Sequence, residues 1–425
     1  MASPALDDLE VIVIGAGAAG LAAAARLTTA GVSLTVLEAR NRIGGRAYTS
    51  NHADYPLDLG CGWLHSADRN PWTRLAEATG FTIDKTTPAW VTQSMNLGFS
   101  SEDQASFHKA SQHFHARLAA VDLSGGDFAA AKLLEPGCRW NPLIDAESSF
   151  MNGAELERVS ACDLTRYADS GVNWRVREGY GAAIAAHGAG LPIVLDCAVT
   201  LIDRQGARLR VETSRGPLAA DAIILTAPTS LIAAQTIRFR PDLPNKVNAA
   251  SSLPLGLADK LVMTIDAPEM LPVDGHLFGD PNRTATGSYH LRPFGRPLIE
   301  GYFGGRLAHE LEAEGQGAFF EFAATELAGL LGGGIRARLR PLSETGWGRD
   351  PYARGSYSYA LPGHADARAA LAAPVEDRLF FAGEACSLHD FTTAHGAYLS
   401  GLEAAEKAIE QFRRKRRGAQ ATRAP

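Results

Sequence analysis

Glu10-Val11-Ile12-Val13-Ile14-Gly15-Ala16-Gly17-Ala18-Ala19-Gly20 leads into an alanine-rich stretch that ends at Gly31, and the apolar run Leu34-Thr35-Val36-Leu37 follows. The pattern predicts a strand over 11–14, a glycine turn, a helix over 21–30 and a second strand over 34–37, which is a βαβ unit. Each glycine has a physical task. Gly15 permits the tight turn, Gly17 lets a pyrophosphate approach the backbone, and Gly20 allows the helix to pack closely on the strand. The helix N-terminus favours the phosphate charge. Glu38 stands 18 residues beyond Gly20, where its carboxylate can accept hydrogen bonds from an adenosine ribose and repel the 2′-phosphate of NADP.

Working outward, a second α/β stretch begins near Gly179, with a helix expected over 182–187 and strands over 193–195, 208–211 and 222–225. A third closes the chain, with a strand over 379–382 and a helix from Ala397 into a basic tail. Two segments of mixed patterning lie between, with strands expected over 261–265 and 298–303 and a helix over 318–331. The fold class is therefore α/β. A Rossmann-type nucleotide-binding domain is expected from 1–84, 176–253 and 343–425, with an interleaved α+β substrate-binding domain from 85–175 and 254–342.

A length of 425 residues exceeds a single hydrophobic core, and 46% hydrophobic with 21% charged residues fits a globular chain. The longest apolar run, 11–25, falls short of the ~18 residues a membrane span needs and is broken by glycines. Asp7, Asp8 and Glu10 precede it, unlike the basic start of a secretory signal, so a cytoplasmic location away from membranes is expected. The five cysteines are scattered and never at C-x-x-C spacing; they read as reduced thiols, with no metal site. A net charge of -6 gives no attraction to nucleic acid, and the basic run from Arg413 to Arg417 reads as a solvated tail.

Glu38-Ala39-Arg40-Asn41-Arg42-Ile43-Gly44-Gly45-Arg46 adds a glycine pair and three arginines directly after the acid, suited to a second approach to a pyrophosphate. This run resembles the flavin amine oxidase family, and further family-like blocks follow in order. The resemblance implies FAD, with Arg40, Gly45 and Arg46 beside the fingerprint and Val199 also among the cofactor contacts. Leu57-Asp58-Leu59-Gly60-Cys61-Gly62-Trp63-Leu64-His65 is similar to the flavin-facing loop of polyamine oxidases. It assigns Gly62, Trp63 and Leu64 to the cofactor and His65 to the reaction. Asp259-Lys260-Leu261-Val262-Met263 resembles the block whose lysine holds a water against the reactive flavin nitrogen. In Trp347-Gly348-Arg349-Asp350-Pro351 and Gly355-Ser356-Tyr357-Ser358-Tyr359, the resemblance packs Trp347 on the flavin and makes Tyr357 one wall of an amine cage. Ser356 stands where monoamine oxidases carry a flavin-linked cysteine; serine forms no thioether, so the FAD is expected to be noncovalent.

The last block, Phe381-Ala382-Gly383-Glu384 with Thr392-Thr393-Ala394-His395-Gly396-Ala397, implies a ribityl contact from Glu384 and a helix starting near Ala394 aimed at the pyrimidine edge. A helix dipole there would stabilise the anionic reduced ring. Many amine oxidases place a second cage tyrosine where this chain has Thr393, whereas flavin-dependent histone demethylases have a threonine. The chain opens on its first strand near Val11 and lacks a long heptad stretch, which favours a small-molecule enzyme.

The resemblance thus implies an oxidase of polyamines or of primary or secondary amines. Hydride leaves the α-carbon of the neutral amine, the imine hydrolyses to aldehyde or ketone, and dioxygen becomes hydrogen peroxide. The partners are a small amine and dioxygen, and His65 tilts the choice toward polyamines. An L-amino acid oxidase would need an arginine over the substrate carboxylate, for which Arg292 and Arg306 are candidates. A desaturase-like enzyme would need a long apolar tunnel, and a non-catalytic flavin-binding protein would leave Lys260, Trp347 and Tyr357 without a reason to occur together. A homo-oligomer is compatible with the sequence and not specified by it.

Overall fold

The computed structural model describes residues 9–52, 55–91 and 93–421. Strands β1 (Glu10–Ile14) and β2 (Ser33–Leu37) pair in parallel, joined by helix α1 (Ala18–Thr29). The helix begins three residues before its expected start because Gly17 already serves as N-cap. Ala222–Leu225 adds to the other edge of β1, Leu379–Phe381 to the edge beyond, and Ile193–Val194 to β2, all in parallel. Three stretches far apart in sequence therefore make one five-stranded sheet.

Both faces of this sheet are covered, so β1 reads as an unbroken apolar run. Its alternate side chains serve different cores: Val11 and Val13 face α1, while Ile12 and Ile14 join Ile202, Val211 and Leu379. A long helix, Ala394–Ala421, packs along α1 at small residues, and a Cβ on Gly401 would stand 2.1 Å from the Ala19 carbonyl oxygen. A separate four-stranded sheet over 199–240 includes Val199–Asp203, a strand not expected from the sequence.

The second large sheet is antiparallel, in the order Gly275–Phe278, Ser288–Leu291, β4 (Leu298–Gly304), β3 (Ala258–Ile265), Leu339–Glu344. One face, with Leu261, Met263, Ile299 and Phe303, packs on helices Gly305–Glu314 and Ala318–Leu331. The register Lys260↔Tyr302 and Val262↔Glu300 puts those four side chains on the other face. Segment 85–175 is mainly helical, with Ser101–Ala119 and α2 (Asn141–Asn152) closing over Phe99, Phe107, Trp140, Leu143 and Ile144. Ile83–Asp84 pairs with Arg175–Val176 where the chain enters and leaves that segment. We label the closing helix Ala394–Ala421 α3. No helix among the described residues is long and apolar enough to cross a membrane.

Candidate active site

The glycine loop is built as a cradle. A Cβ on Gly20 would lie 1.8 Å from the Gly15 carbonyl oxygen, so only glycine permits this turn. Gly17 caps α1 with no side-chain hydrogen bond, leaving the first amides of the helix free for an anion. The second glycine pair comes directly against the first, with Gly44 N–H donating to Ala16 O at 2.8 Å and Gly45 close enough that a Cβ would stand 3.2 Å from Gly17 Cα. Above Gly17 a Cβ would meet only Gly44 O and Gly45 Cα, both at 3.9 Å. That backbone-lined space fits a pyrophosphate.

Glu38 lies at the end of β2, its oxygens accepting from Ala16 N–H at 2.8 Å and Arg40 N–H at 2.9 Å. Two bonds leave the carboxylate lone pairs for a ribose. Cys197 N–H donates to Glu38 O at 2.8 Å, which brings the start of the Val199 strand beside this acid; Val199 itself is buried. Arg40 is committed elsewhere. It bonds Asp350 at 2.6 Å and lies over the Tyr352 ring, so its charge is matched within the protein rather than reserved for a phosphate.

Glu384, expected to bond a ribityl chain, is held by four donors of the protein itself. Arg46 at 3.0 Å, the Ser358 hydroxyl at 2.7 Å, the Ser358 amide and the Thr392 amide together fill its roughly four acceptor positions. Burial pushes this carboxyl up, but Arg46, Arg368 and the Ser358 bonds outweigh it and hold the group below its ordinary range. Glu384 thus ties Arg46 and the Tyr357 strand to the turn before α3. Arg46 also donates to Ser356 O at 2.7 Å and keeps further N–H groups to offer.

The loop over 57–65 gathers the expected site. Lys260 on β3 donates its ammonium to Asp58 O at 2.7 Å, and a Cβ on Gly62 would stand 3.2 Å from Nζ. The Trp347 indole donates to Leu59 O at 3.0 Å. Asp58 in turn caps the helix Tyr180–Ala186, accepting from Tyr180 N–H at 2.9 Å, Gly181 N–H at 3.1 Å and the Thr49 hydroxyl. Burial raises its carboxyl above the usual range despite Lys260 and those donors.

Leu64 makes an isolated antiparallel bridge with Trp174, between Trp63 and His65. Leu64 is 0% exposed and packs with Leu21 and Trp72, so its side chain belongs to the core and only its backbone is left for a cofactor. Trp63 stacks edge-on against Trp90, with ring centroids 4.2 Å apart. His65 Nδ1 lies 2.6 Å from Asn173 Oδ1, and burial lowers its pKa, which keeps the ring neutral.

Tyr357 is half-buried, and its hydroxyl donates to Phe150 O at the end of α2. Ser356 accepts from Ala258 N–H at 2.9 Å and donates to Ala258 O, tying the Tyr357 strand to β3. Thr393 differs from a free cage residue. Its hydroxyl accepts from Gly396 N–H at 3.0 Å and donates to Asp390 O at 2.6 Å, which makes it the N-cap that sets the start of α3 at Ala394. Ala394 offers its carbonyl to the Trp72 indole at 3.1 Å.

Two constellations escape sequence reading. On the cleft face of the antiparallel sheet, Tyr302 donates to Glu300 at 2.7 Å, His290 lies 3.8 Å from Glu300 and 3.1 Å from Asp274, and Arg175 bonds Asp274 at 2.9 Å and Asp84 at 2.7 Å. Burial pushes Glu300 up, yet His290, Lys260 and Tyr302 hold it well below the carboxylate range. The signal lay in the strand, where Glu300 and Tyr302 share a parity inside an apolar run. Behind β3, Asp259 accepts from the Thr345 hydroxyl and the Trp347 amide, with Glu312 against it. Burial, reinforced by Glu312, pushes Asp259 up to about 7.

Residues 84–409 match the model of the flavin containing amine oxidoreductase family, and residues 13–79 match an NAD(P)-binding Rossmann-like domain. The chain belongs to that amine oxidoreductase family. Polyamine oxidase 4 of Oryza sativa subsp. japonica is 31% identical over 93% of this chain and 88% of its own length. Polyamine oxidase 2 of Arabidopsis thaliana is 30% identical over 93% of this chain and 87% of its own. Lysine-specific histone demethylase 1 homolog 2 of Arabidopsis thaliana is 28% identical, over 94% of this chain but 58% of that protein. The fold matches a putrescine oxidase solved with putrescine bound, at a TM-score of 0.77 and 17% identity, covering 95% of this chain and 99% of that one. The protein is an FAD-dependent oxidoreductase acting on amines, with its flavin held noncovalently.

Proposed function

We propose that the chain oxidises an aliphatic amine of the polyamine kind at a carbon bonded to nitrogen, with dioxygen as acceptor and hydrogen peroxide as product. The observation that carries this reading is the Lys260 ammonium seated on the Asp58 carbonyl, against Gly62. FAD, when bound, supplies the hydride-accepting ring. With the flavin in place, Lys260 would position a water beside it, Trp347 and Tyr357 would line its pocket, and the positive start of α3 would favour the charge of the reduced ring. Gly15, Gly17, Gly20, Glu38, Gly45 and Arg46 hold the phosphate and ribose portion. His65, neutral and bonded to Asn173, can accept a hydrogen bond from a substrate amine with its other nitrogen.

We assign the flavin portion to 1–84, 176–253 and 343–425 and the substrate portion to 85–175 and 254–342, supported by the crossing of Ile83–Asp84 with Arg175–Val176. An amino acid oxidase is disfavoured by the state of the arginines. Arg175, the one beside Trp63, already bonds two carboxylates, while Arg292 donates to Leu271 O and Arg306 is exposed. Oxygen uptake and peroxide release measured with panels of polyamines, monoamines and amino acids test the reading. Turnover of polyamines is expected; turnover confined to amino acids would overturn it.

A further inference from the structure

Asp259 lies on the face of β3 that packs against helices, the face of Leu261 and Met263, and is 1% exposed; Glu312, on the helix Gly305–Glu314, is 7% exposed. Both reach the turn that carries Trp347. The Thr345 hydroxyl, at 2.6 Å, and the Trp347 amide, at 3.1 Å, donate to the same oxygen of Asp259, while the Gly348 amide donates to Glu312 at 2.8 Å. The fit is tight, since a Cβ on Gly348 would stand 2.7 Å from Glu312 Oε2.

The second oxygen of Asp259 is buried, and among the described residues no donor reaches it; its polar neighbour is the Glu312 carboxyl. Two bare carboxylates repel each other strongly in a dry core. A proton on Asp259 Oδ2, donated to Glu312, removes one charge and satisfies that oxygen, and the two donors on Oδ1 decide which oxygen carries it. Burial first, and then Glu312, push the Asp259 carboxyl up against the pull of Thr345 and Trp347. Two further titratable groups face the pair: Tyr357, which feels the charge of Asp259, and Arg349, 3.8 Å from Glu312 and 52% exposed.

The other side of the turn is tied to the candidate active site. The Thr345 hydroxyl accepts from the Lys260 amide at 2.8 Å, and the Trp347 indole donates to Leu59 O at 3.0 Å. We propose that Asp259 and Glu312, sharing one proton, are a positioning pair that seats Trp347 and Lys260 for the reaction, and that loss of this proton loosens the turn. The proposal rests on the amine-oxidase reading, which puts Trp347 at the flavin, and adds control by pH to that site.

The test follows two signals of the FAD-loaded enzyme from pH 5 to pH 9: hydrogen exchange of the peptide holding the Trp347 and Gly348 amides, and the visible spectrum of the flavin. In the wild type both are expected to change together as one proton is lost, with protection, corrected for the intrinsic pH dependence of exchange, falling about tenfold. Asp259→Asn and Glu312→Gln each put an amide N–H where the shared proton sits, so both are expected to keep the low-pH spectrum and protection throughout. Glu312→Ala removes the partner and is expected to lose protection at every pH and to slow flavin reduction by amine about 10- to 100-fold. Wild-type signals that stay flat across the range, or Asp259→Asn and Glu312→Gln variants that titrate as the wild type does, overturn the pair and leave the oxidase reading intact. A protein that takes up no flavin overturns the oxidase reading and the role of the pair with it, even where protection titrates.

Discussion

The ammonium of Lys260 donates to the carbonyl of Asp58 across 2.7 Å, joining the antiparallel sheet to the loop that carries Gly62, Trp63 and His65. Trp347 makes the neighbouring contact, through Leu59 O at 3.0 Å. Two side chains of one sheet region thus hold successive carbonyls of this loop and fix it against the antiparallel sheet.

Lys260→Met keeps the aliphatic stem but removes the charge and the bond to Asp58. FAD is expected to stay bound, while flavin reduction or its reoxidation slows about 100-fold. Stopped-flow measurement of the two half-reactions checks this. Unchanged rates in both would remove Lys260 from the site.

Glu38→Ala withdraws the acceptor for the Ala16 and Arg40 amides as well as the ribose partner. Leaving those buried donors unpaired costs about 1–3 kcal/mol of stability, and retention of FAD weakens with it. The flavin content after extensive dialysis is the readout, and a fully yellow variant would contradict the role given to Glu38.

Thr393→Ala removes the α3 cap at a cost of about 1 kcal/mol, and Thr393→Ser restores it because serine offers the same hydroxyl. Thermal unfolding of both holoenzymes separates a cap from a cage wall. If Thr393→Ser behaves like Thr393→Ala in stability, the hydroxyl is not the cap described.

Asp259 titrates at about 7 in the folded chain against an ordinary value of 3.8, raised by burial and then by Glu312. An acid raised on folding contributes stability that is complete below about pH 4 and is lost as pH climbs to about 7. Asp259→Asn keeps an oxygen for Thr345 and Trp347 without the charge. Its stability relative to wild type is therefore expected to improve between pH 4.5 and pH 8, and parallel unfolding profiles across that range would contradict the shared burial of the two acids.

Activity at subsaturating amine is expected to rise from pH 7 toward 9, because the neutral fraction of an alkyl amine with pKa ~10.4 grows about tenfold per unit. His65 adds no acid limb there, since burial keeps it neutral. A flat profile of kcat/KM would exclude neutral-amine binding.

The sequence was legible where local rules and tertiary demands agree. The 10–20 run showed strand, turn and helix because each glycine answers to backbone geometry, and Ala318–Leu331 fell on its expected bounds. Lys260, Trp347 and Tyr357 could be named from their blocks, but their meeting with Asp58, Leu59 and Phe150 depends on pairings 202, 288 and 207 residues apart, beyond any periodicity. The helical layer over 101–152 was missed because its buried side is sparse: Ser101–Ala119 buries only Phe107 and Phe114 fully. The inward face of Leu64 and the capping bonds of Thr393 were not legible for a shared reason. A motif gives residue type and order, while strand parity and helix capping decide which way each side chain faces.

The most direct test is anaerobic mixing of the purified yellow protein with putrescine or spermidine while the flavin absorbance is followed. Rapid bleaching by these amines, with colour restored by dioxygen and all flavin released on denaturation, is the predicted result. A colourless protein that takes up no FAD, or a yellow one that no amine bleaches, would contradict the account.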